Sequence, residues 1–278
     1  TYIPKKDISK TRVDLKEIVP NVYMIKGAGG NIGVYMGSEG IVMVDSQFQQ
    51  LSAKIEGAVQ KIKKDKIRFL INTCWHEDHV GGNAYFSKDA LIISHDAGRD
   101  RMAREQHVKF FDRKTVPLPP AGQPRLTFKD EMTIYMNEEE IKIIHADRAH
   151  SDGNSIVLFQ KSKVAHIGDL YFAGGFPYID IDNGGSVRGT IEALSKAAGL
   201  LPDDGKVIPG RGDVISKSEL SSFLSDLKSI TAYIEEEMKK DPDISKIIKK
   251  GLPQKWEKFG KSIISWDAFV RFAGASKT

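Results

Sequence analysis

Strand-like and helix-like segments alternate along this chain in an order that occurs twice, and that recurrence limits the fold more than any other feature. The first third carries "NVYMI", the glycine turn "KGAGG", "NIGVYMG" and "GIVMVDS", short β-branched or aromatic stretches bounded by glycine. From Leu51 the period changes, and Leu51, Ile55, Ala58, Val59 and Ile62 fall on one helical face. "IRFLINT" and "ALIIS" then read as strands, and the spacing predicts a charged helix over about 96 to 110. After the proline-rich loop "VPLPPAGQP" come "MTIYMN", "IKIIHA", "NSIVLF" and "VAHIG" as a second group of strands. Two helices follow. Ile191, Leu194, Ala198 and Leu201 line the first, and Leu220, Phe223, Leu224, Leu227, Ile230, Ile234 and Met238 the second, which Ser216 and Glu219 start with a capping box. Two β-rich halves that each carry helices predict an α/β architecture, two sheets face to face with helices outside.

Composition removes several classes. The 278 residues are 40% hydrophobic and 28% charged, the balance of a soluble globular chain long enough for a substantial core. No stretch approaches the roughly 18 consecutive apolar residues of a membrane span. The net charge of +4 is spread through mixed runs such as "KIKKDK", which read as solvated faces and not as a nucleic-acid stripe. One cysteine, Cys74, permits no disulfide within the chain. The chain opens at Thr1, which leaves both a cleaved export signal and a trimmed start open; a periplasmic or secreted location is the expectation, a cytoplasmic one the alternative.

The chemistry concentrates after the strand "IRFLINT", in "CWHEDHVGGN". Cys74, His76, Glu77, Asp78 and His79 are ligand-type side chains packed into one loop at a strand's carboxyl end, where α/β folds place their sites. His145, His150, Asp169 and Arg211 follow other strands, so they can converge on the same end. His95, His107 and His166 have no partner motifs and read as surface or packing residues, while His145, five before His150, is a candidate supporting residue. Trp75, Tyr171, Phe172, Phe176 and Tyr178 flank the motifs and are candidates for pocket walls or for core.

These motifs, in this order, resemble the metallo-β-lactamase superfamily: Asp45 after "IVMV", "CWHEDHVGG" for the family's His-x-His-x-Asp-His, His150, Asp169, and "PGRG" for its Pro-Gly-His-Gly. The resemblance covers roughly 20 to 215 and implies a four-layer αββα sandwich, a single domain over 1–278 with a C-terminal helical segment from about 216. It implies one metal held by Cys74, His76 and His150 and a second by Asp78, His79 and the residue at 211, with Asp169 between them. Two positions depart from the family pattern. A cysteine thiolate at 74 still binds zinc well, the alternative being a buried thiol that only packs. Arginine at 211 has donors only and cannot ligate, so it either brings a fixed positive charge to Asp78 and Asp169 or turns to solvent.

The resemblance implies a zinc hydrolase of a small ester, lactone or amide, a class that includes β-lactams, from a bacterial and exported group. One zinc is expected to be tight and the second site weak or empty. A metal-bound water is the expected nucleophile, with Asp78 as its orienting group or proton carrier and Asn83 or the amides near Gly81 and Gly82 as oxyanion donors. A weakly active or inactive member that binds or senses a ligand is the rival reading, and an iron oxygenase fits Cys74 less well. A small-molecule substrate is expected, with neither nucleic acid nor membrane as partner; oligomeric state is open.

Overall fold

The computed structural model describes residues 7–261 and 263–276. Along the chain, β1 (Asp14–Val19), β2 (Val22–Lys26), β3 (Ile32–Gly37) and β4 (Gly40–Val44) form an antiparallel run. Helix α1 (Ser52–Ile62) leads to β5 (Ile67–Ile71). The short helices α2 (Glu77–Val80) and α3 (Asn83–Phe86) lead to β6 (Leu91–His95) and α4 (Asp96–Met102). A hairpin of β7 (Gln106–Val108) and β8 (Arg113–Thr115) precedes β9 (Leu126–Phe128), which closes the first sheet in the order β1-β2-β3-β4-β5-β6-β9.

The second sheet runs β10 (Glu131–Met136), β11 (Glu139–Ala146), β12 (Asn154–Phe159), β13 (Val164–Phe172), β14 (Lys206–Arg211) and β15 (Ile215–Ser216), in sequence order. Helix α5 (Val187–Leu200) crosses from β13 to the parallel β14. Helices α6 (Lys217–Lys240), α7 (Ile244–Lys250) and α8 (Trp266–Ala275) follow.

The layering comes from alternation along the strands. Val42 and Val44 on β4 point into a core shared with Ile141, Ile143, Val157 and Phe159 of the other sheet, while Ile41 and Met43 pack with Ile55 and Val59 of α1. Beyond the second sheet, Ile156, Leu158 and Ile167 pack with Leu194 of α5, Leu227 and Ile230 of α6 and Phe269 of α8. Two mixed sheets therefore stack with helices on both outer faces. The stripe expected on α6 is buried from Leu220 to Ile234, with Met238 partly so. Its capping box is formed, with Ser216 N–H donating to Glu219 Oε2 at 2.8 Å and Glu219 N–H to Ser216 Oγ at 3.2 Å.

One expectation fails. The helix predicted to about 110 ends at Met102, and Gln106–Val108 instead pairs with Arg113–Thr115 around an Asp112 at φ 45°. Val108 is fully buried there, and the tertiary packing of this short hairpin outweighs the helical preference of its charged sequence.

Candidate metal centre

Five strand ends meet at one rim of the sandwich. Asp45 follows β4, residues 74–79 follow β5, His150 follows β11, Asp169 lies on β13 and Arg211 ends β14. Asp45 holds the loop in place, because its carboxylate accepts from Thr73 N–H at 2.8 Å and Thr73 Oγ1 at 2.6 Å. The same carboxylate meets His79 Nδ1 at 2.8 Å, which directs His79 Nε2 toward Asp169 Oδ1 at 3.2 Å. The glycine turn seen in sequence closes over this rim: a Cβ on Gly30 would collide with the His79 ring, and one on Gly210 with Asp169.

Two groups of possible ligands form. Cys74, His76 and His150 each offer one atom, all within 4.8 Å of one another, and so do Asp78, His79 and Asp169. All six side chains are sealed from solvent. In the first group His76 Nδ1 and His150 Nε2 face each other at 2.9 Å. Their other nitrogens are already engaged, His76 Nε2 with Asp180 Oδ2 at 3.0 Å and His150 Nδ1 with the Tyr178 carbonyl at 2.7 Å. That division is what a metal-binding histidine pair requires, one nitrogen oriented by the protein and one turned to the ion. The three donors fit a zinc ion.

Arg211 reaches into the second group. Its Nη2 donates to Asp78 Oδ2, and lies 3.3 Å from Asp169 Oδ2, with one-fifth of its side chain exposed. An ion bound between these carboxylates and the guanidinium would compete for the same oxygens.

The electrostatics follow from burial and pairing. Burial pushes the Cys74 thiol up, but the His79 charge and contact with His76 outweigh it and bring it below its usual value. For His76, burial favours the neutral ring, yet the hydrogen bonds it donates to Asp180 and Cys74 carry it to about 9. Burial alone would raise Asp169, and Arg211 with His79 holds it well below the carboxylate range. His150, buried and beside His76, is pushed down to about 3.

Other candidate residues fall elsewhere. Asn83 does not face the ligands: Nδ2 donates to Asn72 Oδ1 at 2.9 Å and the Gly122 carbonyl at 3.1 Å, and Oδ1 accepts from Ser46 Oγ at 2.9 Å. With both amide hydrogens engaged it has no donor left for an oxyanion, and it serves to tie three loops together. Gly81 N–H and Gly82 N–H are likewise spent on the Glu77 and Gln47 carbonyls, so the oxyanion expectation fails for these groups. His145 stacks flat on His95 at 3.6 Å and meets the Asp152 carbonyl, touching neither ligand group. His166 is buried packing, bonded to the Asn31 carbonyl at 3.0 Å. Tyr171, Phe172 and Phe176 belong to the helix-side core, and Tyr178 sets its ring edge-on to His150. Asp180 was not singled out from sequence. Its signal was the acidic "YIDIDNGG" segment after the Asp169 strand, where nothing distinguishes it from Asp182 until the fold is known.

This architecture with two buried ligand groups at one rim defines an α/β metallohydrolase fold. The sequence model of the metallo-beta-lactamase superfamily matches residues 21–211, and the chain belongs to that superfamily. Among solved structures it is similar to a metallo-beta-lactamase from Pontibacter korlensis, at 16% identity and TM-score 0.62, over 78% of this chain and 99% of that one. It is similar to the DIM-1 metallo-beta-lactamase at 14% identity and TM-score 0.62, over 80% and 100% of the two chains. A double mutant of the sec-alkyl sulfatase PisA1 aligns over 95% of this chain and 50% of its own, at 13% identity and TM-score 0.71.

Proposed function

We propose that this protein is a metal-dependent hydrolase that holds one zinc ion tightly, through Cys74, His76 and His150, and acts on a small ester, lactone or amide. The observation that carries the reading is the division of labour on the two imidazoles: Asp180 and the Tyr178 carbonyl take the outer nitrogens and leave the inner pair beside Cys74. When bound, the ion supplies a Lewis acid and brings the pKa of a water toward neutrality. The protein's own groups do the rest. Asp180 fixes the His76 ring, Asp78, kept a carboxylate by Arg211, orients the water, and Asp169, with Oδ2 4.0 Å from His150 Nε2, steadies the first site. Arg211 takes the place of a second ion, its fixed charge offsetting Asp78 and Asp169.

The neighbours in fold support a small-molecule substrate, since metallo-beta-lactamases and an alkyl sulfatase are among them. Fold alone does not name it. The test is a panel of β-lactams, lactones, simple esters and alkyl sulfates with and without added zinc. Turnover that a chelator removes and zinc restores supports the reading. A zinc-loaded protein inert across the panel makes this a binding or sensing protein on a hydrolase scaffold.

A further inference from the structure

Beside the metal loop lies a cleft of about 350 Å³ that none of the metal-group residues lines. Trp75, Val80 and Met102, all nearly sealed, belong to its lining, and so does the chain from Arg113 to Pro119, which includes strand β8 and the start of the proline loop. A roomier hollow, lined by residues that include Glu56, Lys66, Lys88 and Asp89, carries matched ion pairs and shares no residue with this region.

The cleft's charges do not cancel. Arg101 is committed to Asp152, at 2.6 Å, and Arg113 to Glu77. Lys114, exposed in the lining, has no carboxylate partner among the described residues. Three cations against two carboxylates leave one positive charge over. The same lining holds an apolar lip, with Val116 79% exposed and Pro117 beside it. Val116 and Pro117 thus set an apolar edge in the same lining as Lys114. Trp75 adds a second observation, since its indole N–H, buried, meets no acceptor among the described residues.

We propose that this cleft is a binding site for a small amphipathic anion, an aliphatic or aromatic body carrying a carboxylate. The body packs against Trp75, Met102 and Val116, and the head group lies at Lys114. The volume is at the low end of small-molecule sites, which span roughly 300–1,000 Å³. The site is linked to the metal centre through Trp75, whose ring lies 4.2 Å from that of His76. The assignment stands whether or not the protein turns over a substrate, because it is read as binding.

Octanoate, octanol and octylamine share one body and differ in the head group, and their binding is measured by calorimetry and by tryptophan fluorescence on the protein as purified. Octanoate is expected to bind saturably, with octanol weaker and octylamine weakest. Lys114→Glu is expected to weaken octanoate roughly five- to tenfold and leave octanol unchanged. Trp75→Phe is expected to abolish the fluorescence change while calorimetry still detects binding, Trp256 and Trp266 reporting that the fold persists. No octanoate binding, equal binding of all three probes, an unaffected Lys114→Glu variant, or a signal that survives in Trp75→Phe each overturns the proposal.

Discussion

His76 and Asp180, 104 residues apart in sequence, are joined by a 3.0 Å contact between Nε2 and Oδ2 with both side chains sealed from solvent. The contact decides which face of the imidazole is left for an ion. Asp180 is itself held by Asn183 Nδ2 at 2.9 Å, and Arg101 in turn donates to Asn183 Oδ1 at 2.6 Å, so the orientation of His76 is supported from the protein surface inward.

Asp180→Asn therefore acts on metal binding before it acts on the fold. The amide keeps the volume but loses the charge that favours His76, and zinc affinity is expected to fall by about 10- to 100-fold, the usual effect of removing such a partner. Competition with a chromophoric chelator measures it. An affinity equal to that of the unaltered protein would detach Asp180 from the site.

Cys74→Ala removes one of three donors from the first group and is expected to lose most of the bound metal, while Cys74→His keeps it. Metal analysis after extensive dialysis distinguishes the two. A Cys74→Ala protein with full metal content means that the thiol only packs.

Arg211→Ala is expected to destabilise the protein by on the order of 3 kcal/mol, because Asp78 and Asp169 are fully buried and would lose their guanidinium. Urea denaturation in the presence of chelator gives the value without a contribution from bound metal. Arg211→His is expected to recover part of the loss once zinc is added, since an imidazole can hold an ion between the same carboxylates. Equal stability of Arg211→Ala and the unaltered protein contradicts the pairing.

Acid sensitivity is predicted away from the metal residues. Burial, and then the stacked His145, push His95 below its ordinary value of 6.5. The folded protein thus resists a proton that the unfolded chain accepts, so His95 lowers stability as pH falls through 6.5. In His95→Asn that penalty is gone, and the stability difference between the two proteins should narrow from pH 7 to pH 5 (roughly the range in which an ordinary histidine titrates). A difference independent of pH shows that the ring titrates normally.

Much of this was legible in the chain. The short β-branched run from Ile41 to Val44, bounded by glycine, and the spacing from Leu220 to Ile234 announce a strand and a helix, the first by composition and the second because burial acts directly on its period. The elements left unseen are those whose residues argue against them. Strand β1 is the charged edge sequence "DLKEIV", and the hairpin of β7 and β8 lies where the spacing predicts a charged helix. The ligand positions were visible as motifs, but not which nitrogen of His76 faces inward, which depends on Asp180 arriving from a distant loop. Asn83 misled for the opposite reason: a polar residue beside a ligand motif reads as catalytic, and only its bonds to Asn72, Ser46 and Gly122 show it to be a structural tie.

The central claim is that one ion and one guanidinium share a site built for two ions. Zinc per chain, measured by mass spectrometry after saturation and removal of loose metal, tests it most directly in the unaltered protein and in Arg211→His side by side. The account predicts about one zinc in the first and about two in the second, as expected when a cationic side chain is exchanged for a ligand. Two tightly held ions in the unaltered protein, or none, would contradict it.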